Sequence, residues 1–159
     1  MNIRLATTLD IDALVSLTGY VQALHATAIP LLFRSQPPDA EVASAFHKMI
    51  EAPHSIWFIA EQEVPCGYLH AQFYDRPENW CRPATRVCNI EGIVVHPQAR
   101  RKGIARNLIS ALKKEAEKRG VSRIELEVWS FNQEARAAYK RLGFQVFRER
   151  MEMTMPGAQ

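Results

Sequence analysis

Val94-Val95-His96-Pro97-Gln98-Ala99-Arg100-Arg101-Lys102-Gly103-Ile104-Ala105 runs from an apolar strand through a basic turn into a helix. A helix N-terminus leaves about four amide N–H groups without intrahelical partners. The helix dipole adds roughly half a positive charge at the same end. Together they make an anion site, and phosphate is its usual occupant. Gly103 and Ala105 are small, so a bulky ligand can approach the backbone. Arg100, Arg101, Lys102 and Arg106 supply charge-assisted bonds. Taken for its charge alone, the cluster reads as a solvated helix start.

Two common phosphate motifs do not fit. A Walker A loop places Gly-Lys-Ser/Thr after a first Gly and four residues, but here Lys102 precedes Gly103 and no Ser or Thr follows. The dinucleotide fingerprint Gly-x-Gly-x-x-Gly is absent. The expected anion is therefore neither a triphosphate nor a dinucleotide held in those ways.

Outward from this stretch the periodicities are clear. Ile104, Leu108, Ile109, Leu112 and Ala116 mark the buried face of a helix from about Gly103 to Arg119, and Gly120 is its expected C-terminal cap. Ile124, Leu126 and Val128 alternate along a following strand. Asn132 is placed to cap a helix ending at Leu142, and 144–155 reads as one or two last strands. Upstream, residues 86–95 form a strand, 75–85 a Pro-containing loop, and 55–61 with 67–74 a hairpin. A first strand at 2–6 precedes a helix capped by Asp10 and running to about Ala26. Leu31-Leu32-Phe33 follow as an apolar plug, and a second helix opens at Pro37-Pro38-Asp39. Strands alternate with helices in the second half, which implies a mixed sheet covered by helices.

Length and composition bound the reading. The chain has 159 residues, 47% hydrophobic, which suits one domain with a sizeable core. A net charge of +3 does not by itself imply nucleic acid. Cys66, Cys81 and Cys88 are odd in number and lack Cys-x-x-Cys spacing, so neither a disulfide framework nor a zinc site is expected. The five histidines do not pair at metal-ligand spacing, so no metal is expected. No apolar run nears the roughly 20 residues of a membrane span, and no secretory leader is evident. A cytoplasmic protein without membrane or nucleic-acid partners is expected, and a homodimer is left open.

Arg100-Arg101-Lys102-Gly103-Ile104-Ala105 resembles the pyrophosphate loop Arg/Gln-x-x-Gly-x-Gly/Ala of the GNAT superfamily of N-acetyltransferases. A second block, Trp129 to Phe144, resembles that family's strand–Asn–helix–Tyr–x–x–x–Gly–Phe segment. The blocks stand in the family's order, one helix and one strand apart. They cover roughly the last half of the chain.

The resemblance implies an α/β (α+β) single-domain GNAT fold over 1–159: a mixed, mostly antiparallel sheet of six or seven strands, flanked by about four helices, with splayed central strands. It implies acetyl-CoA as cosubstrate, with its pantetheine arm against the backbone of Ile93, Val94 and Val95 and its pyrophosphate on Arg100, Arg101, Lys102, Gly103, Ile104 and Ala105. Asn132 would bond the arm, and Ala135 and Ala138 would let it lie close; Asn132 also reads as an N-cap and the alanines as helix formers.

Attack on a thioester expels a thiolate, and a phenol held near the sulfur can protonate it. Tyr139 is the proposed acid, or else a half-buried aromatic of its helix. The attacking amine must lose a proton. Glu91, next to a Gly92 that tolerates a bulge, is that base, a strand-surface glutamate or half of an internal salt bridge. Direct attack in a ternary complex needs no covalent intermediate. Amides near Val94 would hold the oxyanion.

The acceptor is expected to be the primary amine of a small molecule, in a pocket drawn from His25, Phe33, Tyr74 and Trp80. Tyr20 could join the aromatic wall, and Asp75 and Glu78 could attract a cation. The alternatives are a non-catalytic acyl-CoA-binding module and a protein N-terminal or lysine acetyltransferase. A nucleic-acid-binding domain would leave the Asn132–Tyr139 block without a purpose.

Overall fold

The computed structural model describes residues 1–153. The chain divides into two compact units, Met1–Glu127 and Val128–Gln159. In the first, strands β1 (Asn2–Leu5), β2 (Ser55–Glu61), β3 (Pro65–Arg76), β4 (Thr85–Val95) and β5 (Ile124–Leu126) form one sheet in sequence order. β1 to β4 pair antiparallel, and β5 joins β4 in parallel. Helices α1 (Ile11–Ala28), α2 (Asp39–Glu51) and α3 (Ile104–Lys118) complete this unit. The second unit contains helix α4 (Gln133–Arg141).

Leu14, Leu17, Phe46, Trp57, Ile59, Tyr68 and Val94 form the core between α1, α2 and the sheet. α3 buries Ile104, Leu108, Ile109, Leu112 and Ala116, the stripe its period predicts. Each such Leu or Ile contributes about 1.5–3 kcal/mol by leaving water. At Gly67 of β3 the start of α3 presses close. A Cβ there would meet the Val94 carbonyl oxygen at 2.7 Å and Ile104 Cγ2 at 3.2 Å, so only glycine lets the layers approach.

Four expectations are corrected. Asp10 does not cap α1 through its own side chain. Thr7 caps a 3-10 turn at Thr8–Asp10, and Asp10 closes that capping box because its carboxylate is pulled back to Arg4 and the Thr7 amide. Leu31 and Leu32 do not plug the core and stand 86% and 60% exposed. The turn after Pro30 returns the Leu32 and Phe33 amides to Ile29 O and swings both leucines outward. The strand at 124 stops at Leu126, short of Val128. The sheet has five strands among the described residues, not six or seven. Residues 144–153 join no ladder. Neighbouring Val146 and Phe147 break the alternation there, and both are over half exposed. Residues 154 and 155 of that expected strand lie outside the described residues. No helix among the described residues is long and apolar enough to cross a membrane.

Candidate active site

β4 changes character at Glu91. Ala71 of β3 pairs with Ile90 and His70 pairs with Gly92, so Glu91 is one extra residue, a β-bulge. Pairing with β5 covers Cys88 to Ile90 and ends there. The bulge twists the strand out of register, and the β5 ladder does not continue past it. Beyond it, the His96 amide donates to Cys66 O at 2.9 Å. In an antiparallel ladder such bonded positions alternate. Gly92 and Val94 therefore turn their peptide groups to β3, while Ile93 and Val95 turn theirs to the edge where β5 has ended. Arg100 Nε reaches Val95 O there, at 3.5 Å. Of the three residues expected to offer backbone at this notch, Val94 has its N–H and C=O on the Tyr68 side.

The chain then makes a 3-10 turn, Pro97–Ala99, whose N-cap is His96. Two left-handed residues follow, Arg101 at φ 63° and Gly103 at φ 79°. Arg101 is the sole non-glycine at positive φ among the described residues. Such a conformation stores of order 1–3 kcal/mol and persists only where its surroundings dictate it. The first intrahelical bond of α3 runs from Asn107 N to Gly103 O, so the amides of Gly103, Ile104, Ala105 and Arg106 precede the ladder. No side chain caps them, and the first turn of α3 carries no acid. Left-handed turns of this kind aim successive amides into an anion-binding concavity. With Arg100, Arg101 and Lys102 exposed around it, the arrangement fits a diphosphate.

Glu91 is exposed at the bulge and accepts a bond from Asn89 Nδ2 at 2.8 Å. In the second unit Asn132 caps α4, its Oδ1 accepting from the Ala135 amide at 3.1 Å. Ala135 and Ala138 are half-buried on that helix. Tyr139 packs edge-on against Phe144, centroids 5.9 Å apart, and burial pushes its phenol upward, which favours the protonated form.

The residues expected to line an acceptor pocket fall into separate groups. The His25 and Phe33 rings lie 4.8 Å apart, and burial lowers the His25 pKa. The Tyr74 hydroxyl accepts from Arg76. Trp80 is 97% exposed, at the tip of a turn closed by Asn79 and Arg82, so it forms no wall with them. Asp75 is held by Arg86 through two bonds of 2.7 and 3.2 Å. The joint between Tyr20 and His96, whose Oη and Nε2 are 3.0 Å apart, was not expected. A His-Pro pair opening the basic turn was its one signal. Among the described residues no three of His, Cys, Asp and Glu gather as a metal site.

Residues 22–144 match the Acetyltransferase (GNAT) family. The chain is 28% identical over 115 residues to the aminoglycoside N(6')-acetyltransferase type 1 of Salmonella typhimurium, covering 72% of this chain and 78% of that protein. Among solved structures, a tetramutant of the BH1408 protein of Bacillus halodurans superposes with a TM-score of 0.91 at 24% identity, over 98% of this chain and 100% of that one. The aminoglycoside N-acetyltransferase AAC(6')-Iy, solved in complex with CoA, gives 0.77 at 21% identity over 98% and 94%. These structural likenesses establish the fold. The chain belongs to the GNAT family: it is an N-acetyltransferase whose cosubstrate is acetyl-CoA.

Proposed function

We propose that the protein transfers the acetyl group of acetyl-CoA directly to the primary amine of a small molecule, and that 1–159 serves as one domain for this reaction. The observation that carries the reading is the start of α3, four amides without side-chain cap or acid, placed just after the half-unpaired end of β4. Arg100, Arg101 and Lys102, with the amides of Gly103, Ile104 and Ala105, hold the diphosphate. The peptide groups of Ile93 and Val95 bond the pantetheine arm and the developing oxyanion, a donor worth roughly 2.7–4 kcal/mol in comparable sites. Glu91 accepts the proton of the attacking amine. Tyr139 supplies one to the departing thiolate. Asn132, Ala135 and Ala138 are assigned to the arm through the resemblance of their segment.

For the acceptor, the charge pattern supports a small amine with few positive charges. Residues 13–38, which include most of α1, contain no Asp or Glu. Asp75 is already neutralised by Arg86. The named relative acts on an aminoglycoside, so that polycation belongs in the test beside aromatic and alkyl monoamines and a peptide with a free N-terminus. The assay reads thiol release from acetyl-CoA across this panel. Turnover with a small amine is expected. Tyr139→Phe and Glu91→Gln should each lower kcat by about 100-fold while CoA affinity stays within about twofold. Tight CoA binding without turnover on any amine would turn the assignment toward a non-catalytic module, and turnover on the peptide alone toward a protein acetyltransferase.

A further inference from the structure

We propose that His96 is a positioning residue for the diphosphate turn and that Tyr20 of α1 holds it in place; this rests on the reading that residues 100–105 take a diphosphate. His96 follows the last residue of β4, and its amide is fixed on Cys66 O. Its Nδ1 accepts the Gln98 amide at 3.3 Å, and its carbonyl accepts the Ala99 amide at 2.8 Å. Because Nδ1 is an acceptor, the neutral ring carries its proton on Nε2. That proton is donated to Tyr20 Oη at 3.0 Å, with the rings edge-on at 4.9 Å and 78°.

The imidazole thus joins three elements: the end of β4, the 3-10 turn and α1. Its tilt sets the direction in which Pro97–Ala99 leaves the sheet and where the two left-handed residues begin. A turn of that conformation has to be dictated by its surroundings. Tyr20 lies 76 residues away and is 42% exposed, so burial does not explain its orientation. A small misplacement of such a turn weakens the ligand geometry far more than it weakens the fold.

The test is calorimetric titration with CoA, together with acetyl-CoA kinetics, on the wild-type protein, Tyr20→Phe, His96→Ala and His96→Asn. Asn is a good N-cap but too short to reach Tyr20. His96→Ala should raise Kd for CoA and KM for acetyl-CoA about tenfold, with kcat at saturation within about twofold. His96→Asn and Tyr20→Phe should match each other at about threefold, the scale of one lost neutral hydrogen bond. Tyr20→Phe removes only a half-exposed hydroxyl, so it carries the test if His96→Ala misfolds. Unchanged affinity in Tyr20→Phe, or His96→Asn no better than His96→Ala, overturns the proposal. Wild-type protein that fails to bind CoA sinks the diphosphate reading itself, a separate outcome.

Discussion

The segment that leads into α1 and the start of α3 solve the same physical problem in opposite ways. Ahead of α1, Thr7 Oγ1 accepts from the Leu9 amide and Asp10 Oδ2 accepts from the Thr7 amide, at 3.3 and 2.8 Å. Arg4 grips both Asp10 oxygens at 2.8 and 2.7 Å and also reaches Glu61. α1 and α2 each carry acid in the first turn, Asp12 in one and Asp39 with Glu41 in the other; α4 carries Glu134 and the Asn132 cap. α3 has neither acid nor side-chain cap, and it starts at a left-handed glycine among cations. Ahead of α1 the chain satisfies the amides of its own 3-10 turn, and α1 and α2, which also lack a side-chain cap, place acids in their first turns. α3 leaves its first amides without either, which is what the proposed diphosphate site requires.

Breaking the first arrangement should damage the fold and spare the site. Asp10→Ala removes four bonds and leaves Arg4 with Glu61 and the Leu5 carbonyl. Removing one partner of a buried pair costs about 3–5 kcal/mol, less here because the Arg4 side chain is 37% exposed. A loss of about 2–4 kcal/mol in urea unfolding is expected, with CoA affinity of the folded fraction unchanged. A parallel loss of CoA affinity would show that the two termini are coupled.

Acid titration sharpens the same contrast. The Arg4 guanidinium holds the Asp10 carboxyl down at about 2, against an ordinary 3.8. Its folded value is depressed, so its stabilisation is complete above pH about 4 and is lost as pH falls towards 2. Roughly 2 kcal/mol should disappear in that window, and Asp10→Ala should lack this component. His70 acts earlier. Burial against Trp57 holds it down at about 4 against 6.5, so the unfolded chain takes up that proton first and stability falls between pH about 6.5 and 4. Chemical denaturation at half-unit pH steps separates the two.

The difference between the two segments was only partly legible in the sequence. Local signals served well. The α3 stripe, Gly103 and the Asn132 cap depend on spacing within one segment, and each lies where periodicity placed it. Signals that depend on distant partners did not. Which of Ile93, Val94 and Val95 present their amides is decided by register with β3, shifted by one residue at Glu91. The retreat of Asp10 from α1 required Arg4 and Glu61, the latter 57 residues away from Arg4. The left-handed Arg101 could not be read from an arginine. The exposure of Leu31, Leu32 and Trp80 runs against hydrophobicity itself. The sequence shows the ring of Tyr20 but not that its hydroxyl meets His96, the contact on which its proposed role rests.

The smallest expected effect is the most discriminating, because it changes sign between fold and site. Arg106 is the third residue of α3, where an acid would face the helix dipole and the uncapped amides. Arg106→Glu should stabilise the protein by about 0.3–1 kcal/mol, as first-turn acids do elsewhere. It should also weaken CoA binding about tenfold, since the new carboxylate competes for the amides that would hold the diphosphate. Arg106→Gln separates the parts: it loses the cation without adding an acceptor, so its affinity should fall only about two- to threefold. Lys114→Glu, on the wet face of the same helix, controls for net charge and should leave affinity nearly unchanged at 0.15 M salt, where screening acts over about 8 Å. If Arg106→Glu gains stability and binds CoA as tightly as the wild-type protein, the amides of α3 are open for some reason other than the diphosphate.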